Sequence, residues 1–197
     1  MSGYYRIEEG TPDQRQSVAA RLPRLGELGA GLERQVVTAW VTSWRSSPHP
    51  DLDAMPYSLV APGYPLLRHV SDVTEVALAL ADQAARTWQT PLDRELLLTC
   101  CLLHDVDKPL LYVPSEQGVV LSDDTGEVPH GVLGAFLLRE LGVDDTVAAI
   151  VATHAAASPF HSRRREAWVL HYADFFATDH VLMSVGRQPY YQPGPGH

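Results

Sequence analysis

Apolar residues recur at steps of three and four along most of this chain, and that period predicts helices almost throughout. Leu66, Val70, Val73, Ala77, Leu80 and Ala84 form one stripe, which predicts a long amphipathic helix from about Leu66 to Trp88. Val36, Val37, Trp40, Val41 and Trp44 form another, on a helix from about Leu32 to Trp44 that packs on the core or on another subunit. Thr11 before Pro12, with Gln14 three residues after Thr11, reads as a capping box opening a short helix to about Ala20. Thr90-Pro91 with Asp93 opens the segment ELLLTCCLLHD. That segment is apolar on nearly every side, so it is expected to be the central buried helix, stopped by Pro109. Further helices are predicted from about His130 to Leu141 with Gly142 closing it, from about Asp144 to Ala156, and from about Arg164 to Val185.

Two stretches break the helical period. SSPHPDLDAMPYSLVAPGYP, rich in Pro and polar residues, reads as a long irregular connection of the kind that is often functional. Residues 110–126 place short β-prone pieces beside polar turns, which predicts a small hairpin or a lid. The tail RQPYYQPGPGH is expected to be loose. The fold class is therefore all-α with a small hairpin or lid insertion around 110–126. Residues 1–63 read as a helical extension and loop, 64–185 as the main domain, and 186–197 as the tail.

Composition narrows the class. The 197 residues are 45% apolar and 20% charged, enough for a real core, which excludes wholesale disorder. Fifteen Lys+Arg against 24 Asp+Glu leave a formal charge of −9, which argues against nucleic acid or an anionic membrane as a main partner. No apolar run approaches the roughly 18 residues of a membrane span. The start MSGYYRIEEG lacks the charged beginning and apolar middle of a signal peptide. Cys100 and Cys101 are adjacent inside an apolar run and read as buried free thiols in a reducing compartment. A soluble cytoplasmic protein is the expectation.

Candidate chemistry lies in polar residues on apolar faces. His69 lines up with Val73, Val76 and Leu80; His130 with Leu133, Leu137 and Leu141; His154 with Val147, Ile150 and Val151. His104-Asp105 ends the most apolar helix, and Asp174 shares a face with Ala167, Leu170, Ala177, Thr178 and Val181. A buried carboxylate is costly unless it is paired or holds a metal. Taken singly, each histidine also fits as a hydrogen-bonded core residue, and Asp174 as a carboxylate capping a neighbouring helix. Two carboxylates and four imidazoles on the inner faces of five helices need a common partner, and a divalent transition metal supplies one. Such ligands suit Zn, Mn, Fe, Co or Ni better than Ca.

The order His69, His104-Asp105, Asp174 resembles the HD-domain metal-dependent phosphohydrolase superfamily. LTCCLLHDVDKP resembles its helix ending in His-Asp, with Lys108 three positions after the Asp. HGVLGAFLL, VAAIVATHAA and VLHYADFFATD resemble its later motifs. The resemblance implies an HD-domain helical bundle in which His69, His104, Asp105 and Asp174 hold a first metal. His130 and His154 would hold a second, with Asp105 bridging. The catalytic residues it implies are Asp105 and Lys108. Many members with two metals carry tandem histidines where His154 is followed here by Ala155. Asp107 stands where a small residue is common, either as an acceptor orienting a ligand imidazole or as an exposed turn residue.

The expected activity is hydrolysis of a small phosphorylated metabolite or nucleotide by a dinuclear centre. The alternative is a mixed-valent di-iron oxygenase of the same fold, cleaving a phosphonate or polyol. Members cleaving phosphonates carry a Tyr and a Glu in the loop before the first histidine; this chain has Tyr57 and Tyr64 there but no Glu between residue 34 and His69. A third reading is a non-enzymatic module binding a nucleotide or partner. Two divalent ions against two carboxylates leave about +2, which would draw a small anionic substrate. Lys108, Arg163, Arg164 and Tyr64 are candidate substrate contacts. The Arg163-Arg164-Arg165 run also fits a solvated face, and Arg68 is a further candidate anion contact. His171 fits either a residue supporting the ligands or a core histidine. Trp40, Trp44, Trp88 and Trp168 read as packing residues, and a homo-oligomer is possible in principle from the Val36–Trp44 stripe.

Overall fold

Thr11 caps the first helix as its spacing predicts. In the structure, a computed structural model describing residues 3–191, its hydroxyl accepts from the Gln14 amide while the Gln14 side chain accepts from the Thr11 amide. That opens α1 (Pro12–Ala19). A 3-10 turn at Leu25–Glu27 leads to α2 (Ala30–Arg45), and the long connection ends at α3 (Leu66–Trp88). Asp93 accepts from the Leu96 amide and starts α4 (Arg94–Leu103). One helical turn, α5 (Lys108–Leu111), leads into β1 (Tyr112–Ser115), which pairs antiparallel with β2 (Gly118–Leu121). Tyr112 stands opposite Leu121 and Ser115 opposite Gly118, so the 110–126 insertion is a hairpin. α6 (Val132–Glu140), α7 (Asp145–Thr153) and α8 (Arg165–Ser184) complete an all-α fold.

The central position of α4 follows from its composition. Every residue from Leu97 to Leu103 is buried, and the helix packs against α2, α3, α7 and α8. With about 1.5–3 kcal/mol gained per buried leucine-sized side chain, no polar face is left to turn toward water. The α2 stripe packs on this core and not on another subunit. Trp40 is fully buried, and its indole N–H donates to the Leu102 carbonyl at 2.8 Å. The described part of the N-terminal region packs on the rest of the chain: one buried apolar cluster runs from Tyr5 through Val18, Leu22 and Trp40 to Ala177. Cys100 and Cys101 are free and buried, as their setting predicts.

Several features depart from the periodicity. The predicted helix at His130 starts at Val132 instead, because Gly131 takes φ +86° and sets His130 in the turn before α6. Leu80 falls outside the buried stripe of α3, which runs Leu66, His69, Val70, Val73, Ala77, Ala81 and Ala84. Trp40 packs as expected, but Trp88 and Trp168 are exposed. In the tail, the Tyr190 and Tyr191 amides donate to the Asp179 carboxylate, and residues 192–197 lie outside the described ones. No helix among the described residues is long and apolar enough to cross a membrane.

Replacing Trp40 with Ala is expected to cost about 3–5 kcal/mol in urea unfolding. Replacing the exposed Phe136 of α6 should change it by no more than about 0.5 kcal/mol. Equal effects would contradict this placement of the core.

Candidate metal centre

The ends of helices converge on Asp105. His69 sits in the first turn of α3, His104 caps the C-terminus of α4, and Asp105 occupies the turn that follows. His130 comes from the turn before α6, His154 caps the C-terminus of α7, and Asp174 projects from the middle of α8. The Asp105 carboxylate is 1% exposed, and its two oxygens face different partners. Oδ2 lies 3.5 Å from His69 Nε2 and 3.3 Å from His104 Nε2. Oδ1 lies 3.0 Å from His130 Nε2 and 3.6 Å from His154 Nε2. Two groups that share Asp105 therefore have ligand-capable atoms within 4.8 Å of one another: His69, His104 and Asp105, and Asp105, His130 and His154. Asp174 Oδ1 approaches the first group at 3.0 Å from His69 Nε2.

Three of the four rings are held in one tautomer. The Nδ1–H of His104 donates to the Cys101 carbonyl at 2.8 Å, and that of His154 to the Val151 carbonyl at 2.7 Å. Carbonyls of a helix's last turn lack intrahelical amide partners, so each is free to hold an imidazole. His130 Nδ1 donates to Asp107 Oδ1 at 2.9 Å. Asp107, fully buried, also accepts from the Gly131 and Gly134 amides at 2.7 and 3.1 Å. It is an orienting acceptor and not an exposed turn residue. A Cβ on Gly131 would sit 2.5 Å from the Val151 carbonyl oxygen, so this turn admits only glycine. With Nδ1 carrying the proton, a neutral ring presents a bare Nε2 lone pair to a carboxylate. The buried His104 Nε2 has no hydrogen-bond partner at all. Bare nitrogens around a shared carboxylate are what a divalent cation would satisfy, so these residues fit a metal.

The HD-domain family model matches residues 66–179, which include all six of these side chains. The chain belongs to the HD-domain family. It is 32% identical over 110 residues to dihydroneopterin 2′,3′-cyclic phosphate phosphodiesterase of Methanocaldococcus jannaschii, covering 55% of this chain and 44% of that protein. It is 34% and 29% identical over 92 residues to the tRNA (cytidine(56)-2′-O)-methyltransferases of Thermoplasma volcanium and Picrophilus torridus, covering 47% of this chain and 21% of each. The chain thus spans less than half the length of the curated relatives it matches. No solved structure matches it significantly.

Electrostatics within this HD domain centre on the same carboxylate. Burial pushes Asp105 toward neutrality, but His104 and Lys108 outweigh it and hold the group well below the usual carboxylate range. Asp174 is held low against burial by His69, and Asp107 by His130. Burial is the chief cause that lowers the basicity of His69 and His154. At His130 burial is overcome by Asp107 and Asp105, and the pKa rises to about 9.

Lys108 is buried, with its ammonium 2.6 Å from Asp105 Oδ2 and 4.0 Å from the centre of the Tyr57 ring. Both residues line a cavity of about 280 Å³ with Tyr112, His130, His154, Asp174, Phe175 and Tyr190. Tyr57 also lies face-near His69, with ring centroids 3.9 Å apart, and its hydroxyl donates to Thr178. Thr178 in turn donates to Asp174 at 3.3 Å. Other predicted contacts stand apart. Tyr64 donates to Asp72 and lies outside the cavity lining, with Arg68 over its ring. Arg163 and Arg164 are exposed before α8 and do not line the cavity. Arg164 is ten residues from Asp174, or about 15 Å along a helix. His171 is half-buried and donates to the His154 carbonyl at 3.2 Å, so it braces that turn. The aromatic wall of Tyr112, Phe175 and Tyr190 has no sequence signal, because three unrelated segments supply it.

Asp107→Ala removes the acceptor that fixes the His130 ring. It is expected to weaken metal binding about 10- to 100-fold, measured by competition with a chromophoric chelator. Unchanged affinity in a folded variant would contradict the orienting role.

Proposed function

We propose that this HD domain is a metal-dependent phosphohydrolase acting on a small phosphorylated metabolite or nucleotide. In this reading His69, His104, Asp105 and Asp174 hold one divalent transition metal. His130 and His154 hold a second, with Asp105 shared between them. The observation that carries the proposal is the split of the Asp105 carboxylate, each oxygen facing its own pair of imidazole nitrogens. The relative from M. jannaschii, named as a cyclic phosphate phosphodiesterase, supports a phosphoric ester as the substrate class. The net charge of −9 argues against nucleic acid as the partner. Residues 64–185 carry the proposed metal ligands and Lys108, and the segment before them braces the core behind α4 and supplies Tyr57 to the cavity wall. The free thiols Cys100 and Cys101 support a reducing, cytoplasmic setting.

A divalent ion in this site supplies Lewis acidity, lowering the pKa of water and offsetting the charge that builds on phosphoryl oxygens. The chain's own groups do the rest. Asp105 and the Tyr57 ring clamp the Lys108 ammonium at the cavity wall, where it binds a non-bridging oxygen of the ester. The hydrogen-bonded series from Tyr57 through Thr178 to Asp174 fixes the Asp174 carboxylate beside His69. Phe175, Tyr190 and Tyr112 give the cavity apolar walls that orient the rest of the substrate and limit water. The alternative of di-iron oxygenation has no such support, since the loop before His69 carries no Glu.

A panel of phosphate monoesters and cyclic diesters tests the proposal with protein loaded with Mn, Fe, Co, Ni or Zn. Turnover that a chelator abolishes is expected. Asp105→Asn should lose most bound metal and on the order of 10³-fold or more in kcat/KM. Lys108→Met should keep its metal and lose about 100-fold. No turnover of any ester by metal-replete protein, or iron-dependent oxygen uptake in its place, would contradict it.

A further inference from the structure

The exposed face of α8 is too apolar for a helix facing water, and it is self-complementary. Arg165, Trp168, Tyr172, Phe176, Asp179 and Met183 are spaced 3, 4, 4, 3 and 4 residues apart. At 100° per residue they fall within an arc of about 80°. Trp168 is 53% exposed, Tyr172 69%, Phe176 68% and Met183 65%. Beside them on α3, Trp88 and Leu80 are also exposed, and together with Trp168 and Tyr172 they line an apolar groove. With roughly 150–250 Å² per aromatic side chain, the patch amounts to about 600–700 Å². That exceeds the roughly 300–600 Å² of a typical monomer's largest patch and nears the roughly 800 Å² per partner of a stable interface.

We infer that this face joins two copies of the chain in a twofold dimer, with α8 packed antiparallel against α8 of the second copy and Tyr172 on the axis. In an antiparallel pair centred on Tyr172, paired positions sum to 344. Trp168 then meets Phe176 of the partner subunit, and Arg165 meets Asp179 of the partner subunit. The symmetry makes each contact twice. Arg165 forms no ion pair within the described residues. Asp179 has only backbone amides, those of Tyr190 and Tyr191, as donors. Both charges flank the apolar centre of the stripe and have capacity left for an opposite charge across the interface. A parallel arrangement would instead set Arg165 against its own copy. Asp174 lies about 200° around α8 from Tyr172, so the dimer leaves the metal centre open to substrate.

Sedimentation of the full chain at micromolar concentrations tests this. A species of twice the 21.7 kDa chain mass is expected, falling to the chain mass in Tyr172→Asp with its melting temperature close to wild type or with intact helical circular dichroism. Register is read separately by oxidative cross-linking. Tyr172→Cys should link to itself in a covalent dimer, whereas Phe136→Cys on α6 should not; Cys100 and Cys101 are buried and stay silent. A wild-type chain that sediments as a monomer throughout would overturn the inference. So would a dimer that survives Tyr172→Asp, or a Tyr172→Cys chain that does not cross-link more readily than Phe136→Cys.

Discussion

A carboxylate stripped of water must be matched by positive charge or hydrogen-bond donors, and Asp105 imposes that demand at the centre of the molecule. Among the described residues Lys108 is the one ammonium that reaches it, and it engages only Oδ2. The remaining neighbours are imidazoles, three of them with the Nδ1 proton committed elsewhere. When neutral, as metal ligation requires, those rings turn lone pairs, not protons, toward the carboxylate. With the rings neutral, the site calls for a cation between nitrogen and oxygen, and that demand links the fold to metal chemistry.

The fold meets the geometric side of the same demand by using helix termini. His104 and His154 each follow the last residue of a helix, where a free carbonyl three residues back fixes the ring. His130 uses a different device, a buried carboxylate at Asp107 held by the Gly131 and Gly134 amides. α4 can present His104 and Asp105 at the core because it is buried on all sides, and α2 from the N-terminal region supplies one of those sides through Trp40. The long connection before α3 contributes Tyr57, which ties His69, Lys108 and Thr178 into one wall.

Much of this is legible in the sequence. The 3–4 period places α2 and α3 nearly to the residue, and Thr11, Asp93 and Gly142 mark helix ends through cap chemistry. The six polar residues on apolar faces announce the cluster around Asp105, since each would be costly to bury alone. What stays hidden is set by tertiary packing. Periodicity places Leu80 inside α3 and reads Trp88 and Trp168 as packed, but it cannot tell a core face from a face reserved for something else. The arginines before α8 look close to Asp174 in sequence, yet an α-helix carries them about 15 Å away. Asp107 is ambiguous in sequence because its partners, His130, Gly131 and Gly134, lie 23 to 27 residues on.

Anomalous diffraction from crystals of manganese-loaded protein tests the central claim most directly. The account predicts density for metal within about 2.0–2.3 Å of an Asp105 oxygen and of the Nε2 atoms of the surrounding histidines. Metal bound only at the surface, with Asp105 still paired to Lys108 and the imidazoles bare, would contradict it.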